Sequence, residues 1–243
     1  MSRSKILPLT VGRSKQYPSG HFDCEILRSK RKTLSIHIKH NRVEVRSPLR
    51  TKQADIELFV ATNREWIVQR LDEENRHFEE SLRIEKGRKI FYRARELDIV
   101  FQQGRKERVM LGKGQFIIQG HKLNVRKAEV QVSDFLIEKA NGYLMHRTRA
   151  LAEFLKVGHK LNNIRLKKTK TKWGHCTSTG VIQFNWLIML APYSIIDYMI
   201  AHEVCHLVHM DHSKKYWKLV ASVCPEYAYY MDWLKRHEHR FWF

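Results

Sequence analysis

The stretch His202-Glu203-Val204-Cys205-His206, with Met210-Asp211-His212 just beyond it, decides how this chain is read. On a helix, side chains four residues apart share a face about 6 Å apart along the axis, so the rings of His202 and His206 can converge on one ion. Glu203 sits beside the first imidazole without being needed as a ligand. Its carboxylate is therefore free to accept a proton from a water polarised by that ion. The flanks support a helix. Pro192 suits a first-turn position, where its missing N–H is harmless. Ile195, Ile196, Met199, Ile200 and Val204 recur at spacings that bury one side. The competing reading is two core histidines satisfied by backbone carbonyls, and it accounts for neither the metal spacing nor the adjacent carboxylate.

A third ligand must come from elsewhere. His209 shares a face with the pair, but a straight helix carries it roughly 10 Å from His202, whereas ligand atoms around one zinc lie within about 3.5 Å of one another. The third ligand therefore belongs to a segment that has turned off the helix. His212 suits this: Met210-Asp211 can form the exit, because Asp tolerates the left-handed region, and Ser213 can cap a helix starting at Lys214. His209 is then a core residue or supports a ligand from behind. Three histidines with a fourth position open match catalytic zinc, since structural zinc is usually closed by four ligands, mostly Cys. The expected cofactor is one zinc ion. Cys24, Cys176, Cys205 and Cys224 form no C-x-x-C pair, which suits buried thiols in a reducing compartment.

Composition bounds the rest. The chain is 43% hydrophobic with six Trp and eleven Phe, enough to bury a good core and unlike a disordered polymer. Its longest purely apolar run, Trp186–Ala191, is far too short to span a membrane. The first twenty residues are basic without an apolar secretory core, so a cytoplasmic location is expected. The net charge is +20, and seven Lys or Arg with no acid fall between Lys156 and Lys172. That excess would attract nucleic acid, polyphosphates or acidic surfaces in a salt-dependent way. No zinc-finger, RNP or helix-turn-helix signature accompanies it.

Periodicity organises the chain as α+β. Phe22–Leu27, Thr33–Lys39 and Arg42–Arg46 read as strands, with His40-Asn41 as a tight connection. Lys52–Glu80 reads as one long helix burying Ile56, Phe59, Val60, Trp66, Ile67 and Leu71. Short strands are expected at Ile90–Tyr92, Leu97–Gln102, Glu107–Leu111, Gln115–Gln119 and Lys122–Val125, with no obvious repeat. Gln131–Lys156 is helical in pattern. Asn163–Lys168 and Val181–Leu190 read as strands around a turn-rich Trp173–Gly180, and the motif helix and two closing helices, Lys214–Val223 and Tyr227–His237, follow. The domains expected are a basic α+β module over 1–130 and, over 131–243, a helix, a small sheet and the motif helix in zincin-like order. In that layout the sheet's edge strand lies along the substrate cleft, and Val181–Leu190, with Asn185 in its middle, is the candidate edge.

Several segments together resemble a known family. They are Lys172-Trp173-Gly174-His175-Cys176, Ile182-Gln183-Phe184-Asn185-Trp186-Leu187, Ala191-Pro192, Ile196-Asp197-Tyr198, the histidine motif, Asp211-His212-Ser213-Lys214 and Tyr216-Trp217. Their succession resembles the YgjP-like family of zinc metallopeptidases, relatives of the SprT-like proteases, over almost the whole chain. The resemblance implies His202, His206 and His212 as zinc ligands and Glu203 as catalytic base. The family's tryptophan-glycine turn is usually followed by serine, where this chain has His175. The His206-to-His212 spacing equals that of the metzincins, but His209 replaces their glycine and no methionine turn is evident.

Three functions are carried forward. The leading one is peptide hydrolysis, with His175, Lys172 and Tyr216 as candidates to hold the oxyanion and Asn185 as a substrate contact. The second is hydrolysis of a nucleotide or other phosphorylated small molecule, favoured by charge but without a Gly-rich phosphate loop or an acidic magnesium cluster. The third is a non-enzymatic, nucleic-acid-associated module with structural zinc.

Overall fold

The computed structural model describes residues 4–10, 21–39, 42–169 and 171–243. His40-Asn41 lies outside the described residues. The fold is α+β, with three small mixed sheets and six α-helices among the described residues. Two compact units part between Glu80 and Ser81, not at 130/131. The reason lies in packing: Phe116 and Ile118 of the second sheet share one buried cluster with Ala128, Val132 and Leu136 of the helix that follows, so that sheet belongs with the C-terminal half.

In the first unit β1 (Ser4–Thr10), β2 (His21–Ser29), β3 (Ser35–Lys39) and β4 (Arg42–Pro48) form a sheet in the order β1-β2-β4-β3. Strand β1 carries no signal that the sequence reading found. The helix expected as one piece is two, α1 (Gln53–Thr62) and α2 (Arg64–Glu80). The break falls at Asn63, whose side-chain amide donates to the Phe59 carbonyl at 2.7 Å and competes with the next turn. Ile56, Val60, Ile67 and Leu71 bury against Cys24, Ile26, Val43 and Val45. Trp66 does not join them and is 45% exposed. Ile67 and Leu71, four apart, define the buried line of α2, and Trp66 lies about 100° off it.

The second unit opens with β5 (Lys89–Tyr92), β6 (Arg95–Gln103), β7 (Arg108–Gly112) and β8 (Gln115–Gly120), ordered β5-β6-β8-β7. Lys122–Val125 is no strand: the chain turns through positive φ at Lys122, and Asn124 caps α3 (Val125–Phe154) by accepting from Lys127 N at 2.9 Å. Buried positions of α3 recur every four residues, at Ala128, Val132, Leu136, Ala140, Leu144, Thr148 and Ala152. Phe135, Tyr143, Leu151 and Leu155 lie partly buried on the flanks of this line.

The small sheet contains β9 (Asn163–Leu166), β10 (Gly174–Cys176) and β11 (Val181–Phe184) in the order β10-β11-β9. Strand β11 is thus the centre and not the edge, and it stops at Phe184. The segment expected to turn holds β10, closed onto β11 by Thr177, whose hydroxyl accepts from Val181 N at 3.0 Å. Gly180 completes the turn at φ +77, with a Cβ there only 1.9 Å from the Lys160 carbonyl. A 3-10 helix (Trp186–Leu190) follows, then α4 (Tyr193–Cys205), α5 (Lys214–Val223) and α6 (Tyr227–His237).

Candidate metal centre

Helix α4 carries His202 and Glu203 in its last turn, with His206 as its C-cap. Ile195, Ile196, Met199, Ile200 and Val204 are all buried along it, and full burial of each such side chain contributes about 1.5–3 kcal/mol. Asp197 ties the helix to α3, accepting from Tyr143 Oη at 2.9 Å and from both Nε and Nη2 of Arg147 at 3.3 and 3.1 Å. The Tyr143 hydroxyl is pushed up to about 12 by burial and by this carboxylate.

The chain leaves the helix earlier than expected. After His206 it turns at once, and no left-handed residue is needed at Met210 or Asp211. Asp211 instead accepts from Ser213 N at 3.4 Å, and Ser213 caps α5 by accepting from Tyr216 N. This double turn folds His212 back over the helix end. Its Nε2 lies 3.3 Å from His202 Nε2, close to the separation of about 3.4 Å between ligand atoms on one tetrahedral zinc. One nitrogen from each of His202, His206 and His212 falls within 4.8 Å of the others.

The donor chemistry fits a borderline-soft cation. His206 Nδ1 lies 3.0 Å from the His209 carbonyl, which can only accept, so the proton sits on Nδ1 and Nε2 keeps its lone pair. His209 thus acts through its backbone. Burial, then His206 and His212, hold His202 down to about 3, and burial also lowers His206. Neutral imidazoles with free lone pairs are what such an ion requires. Two rings brace the site. Tyr216 stacks on His206 at 4.5 Å and donates to the His202 carbonyl at 3.0 Å, while Trp217 stacks on His212 at 5.5 Å.

Glu203 is 3% exposed, and no protein group hydrogen-bonds its Oε2. Burial pushes its carboxyl up to about 8, opposed by the positive charge of Lys172. Its seat is Gly174: a Cβ there would stand 2.3 Å from Glu203 Oε1 and 2.6 Å from Cδ. The seat is held from behind, where Trp173 donates to Glu238 Oε2 at 2.8 Å and packs on Trp242 at 4.4 Å. The sequence reading missed Gly174 and Trp217 as functional positions, although both lie in the segments that carried the resemblance.

The other candidates divide. Lys172 and His175 are exposed at the rim, close enough for their charges to act on Glu203 and His206. Tyr216 is fully buried with its hydroxyl spent on His202, so it positions the motif rather than meeting a substrate oxygen. Asn185 is 1% exposed; its amide donates to the Thr169 carbonyl and its oxygen accepts from Leu187 N. It is a structural pivot and not a cleft residue. Cys176 and Cys205 are buried thiols, each pushed up to about 12 by burial.

Among the described residues no helix is long and apolar enough to cross a membrane. No curated protein sequence matches the chain. The sequence profile of the YgjP-like metallopeptidase domain matches residues 32–237, most of the chain and every residue of the histidine site. The chain therefore belongs to the YgjP-like metallopeptidase family, a group of metal-dependent hydrolases.

Proposed function

We propose that the protein is a zinc-dependent peptide hydrolase in which His202, His206 and His212 hold one ion and Glu203 is the general base. The observation that carries this is the convergence of three imidazoles beside a buried carboxyl with an unpartnered oxygen. Zinc, when bound, supplies Lewis acidity that acidifies a water and polarises the scissile carbonyl. The chain's own groups do the rest. Glu203 takes the proton as water attacks, holds it on a carboxyl whose burial favours the protonated form, and returns it to the leaving nitrogen. Lys172 and His175 stand on the open side, where an oxyanion would gain from positive charge or a ring N–H. The free edge of β10 offers backbone groups to an extended substrate.

One observation favours a second reading, hydrolysis of a phosphoanhydride: the groups at the rim beside Glu203 and His206 are a lysine and a histidine. A panel of peptides and nucleoside triphosphates, run with zinc-loaded protein and a Glu203→Gln control, separates the two. Peptide cleavage reduced at least 100-fold by the substitution, the scale of general base catalysis, with zinc content unchanged, is the expected result. Phosphate release abolished by Glu203→Gln, with no peptide cleaved, would transfer the assignment to phosphorus.

A further inference from the structure

Away from the histidines, β7 is an edge of its sheet and pairs only with β8 among the described residues. Its centre, Val109-Met110-Leu111, is apolar throughout, and Leu111 is 51% exposed. Solvent-facing edges are normally blunted by charge, proline or a bulge, and none of these interrupts the three residues. Val109 and Leu111 pair with Ile118 and Phe116, so they face the side of the sheet on which α3 packs. Between β7 and α3 runs a groove of about 560 Å³.

The groove has an apolar middle and two charged ends. Val109 and Phe135 line it together with Val130, which is 54% exposed on α3. Gln131 lies in its floor, 8% exposed, with neither its carboxamide oxygen nor its nitrogen hydrogen-bonded. A buried donor and acceptor without partners is a cost, and a peptide unit, with one of each, answers both. Arg126 and Lys127 mark one end of its helix wall and Asp134 and Glu138 the other, while Glu107 and Arg108 line it from the β7 side. Arg126 and Asp134 are about 12 Å apart along the helix axis, roughly the span of four strand residues.

We propose that this groove takes an extended polypeptide segment as an added strand on β7. The segment carries an acidic residue facing Arg126 and Lys127, a basic residue four positions away facing Asp134, and a small apolar residue midway between them. Residues four apart in a strand share a face, so all three point into the groove. The backbone supplies the hydrogen bonds that β7 leaves open, and the charges set direction and register. This site needs no metal and stands whether or not the histidine centre cleaves peptides.

The test uses the full chain carrying Glu203→Gln, so that binding is read without turnover. Two capped, fluorescein-labelled heptapeptides are titrated by anisotropy: Thr-Glu-Thr-Val-Thr-Lys-Thr and its reverse, since an added strand can run either way. One of them binds, with a Kd of about 0.1–1 mM as suits a short single-strand contact. Val130→Arg, on an exposed position that α3 tolerates, weakens it at least tenfold. Asp134→Lys weakens it about fivefold, and exchanging the peptide's Lys for Glu restores it. Absence of binding by both peptides up to about 5 mM, or affinity indifferent to Val130→Arg, overturns the proposal. So does a dimer in sedimentation that Val130→Arg dissolves, because the groove would then belong to a second copy of the chain.

Discussion

The sheet of β1–β4 and the sheet of β5–β8 have one connectivity. In each, two antiparallel hairpins flank a central parallel pair, β2 with β4 and β6 with β8, and helix follows the last strand. The second is joined to the histidine centre. The difference lies in the helix. In the first unit it breaks at Asn63 into two pieces, both spent on covering their own sheet. In the second, α3 continues unbroken for 30 residues. Its Phe135 meets Phe116 of the sheet at 5.7 Å, while Tyr143 and Arg147, further along, hold Asp197 of the motif helix. In the second unit the module is therefore a platform, and the length of α3 carries it to the motif helix.

The largest effect that tests this contrast is on stability. Leu144→Ala in α3 and Ile67→Ala in α2 each empty a fully buried position and should each cost about 2–5 kcal/mol. Zinc should tell them apart. At a hundred times its Kd an ion stabilises the unit that binds it by about 2.7 kcal/mol, so zinc should rescue Leu144→Ala and leave Ile67→Ala unrescued in thermal unfolding. Equal rescue of both would break the contrast.

The next effect concerns the strand that has no counterpart in the first unit. Gly174→Ala places a methyl 2.3 Å from Glu203 Oε1, well inside van der Waals contact. The carboxyl must shift by about an ångström, a displacement that can cost on the order of 100-fold in rate. Zinc affinity, measured by chelator competition, should stay within about threefold, because the three atoms nearest that methyl all belong to Glu203. A lost metal with a lost rate would mean that β10 holds the ligands as well as the base.

How much of this was legible follows from how local each feature is. The motif helix, the clustering of the three histidines and the Ser213 cap were readable because a four-residue spacing, an apolar stripe and a capping residue are written in adjacent positions. Strand β10 was not, since Gly174-His175-Cys176 is too short to show alternation. That β11 is central depended on β10 existing, so the edge was misassigned with it. Asn185 looked like a cleft residue because its short polar side chain serves a pivot as well as a contact. The repeated sheet connectivity leaves no trace in residue identity, because it lies in which backbones pair. Trp66 misled for a physical reason: large aromatics suggest burial, but the line set by Ile67 and Leu71 passes it by.

The smallest effect probes the last addition to the platform, helix α5. His212 is exposed and reaches the other two histidines from a turn, so something must hold its ring plane. Trp217, one turn into α5, stacks on it at 5.5 Å and 26° and is itself stacked on Tyr227 at 5.1 Å and 18°. An aromatic pair of this kind contributes about 0.5–1.5 kcal/mol beyond its burial, and residues that orient metal ligands typically change affinity 10–100-fold. Trp217→Ala should therefore weaken zinc about tenfold, while Trp217→Phe, which keeps a ring against His212, should recover most of the loss. A purely structural role would lower thermal stability in both variants without this graded zinc affinity. Affinity unchanged by Trp217→Ala would leave the turn from Asp211 to Ser213 as sufficient to hold the third ligand, and α5 would then be covering rather than positioning it.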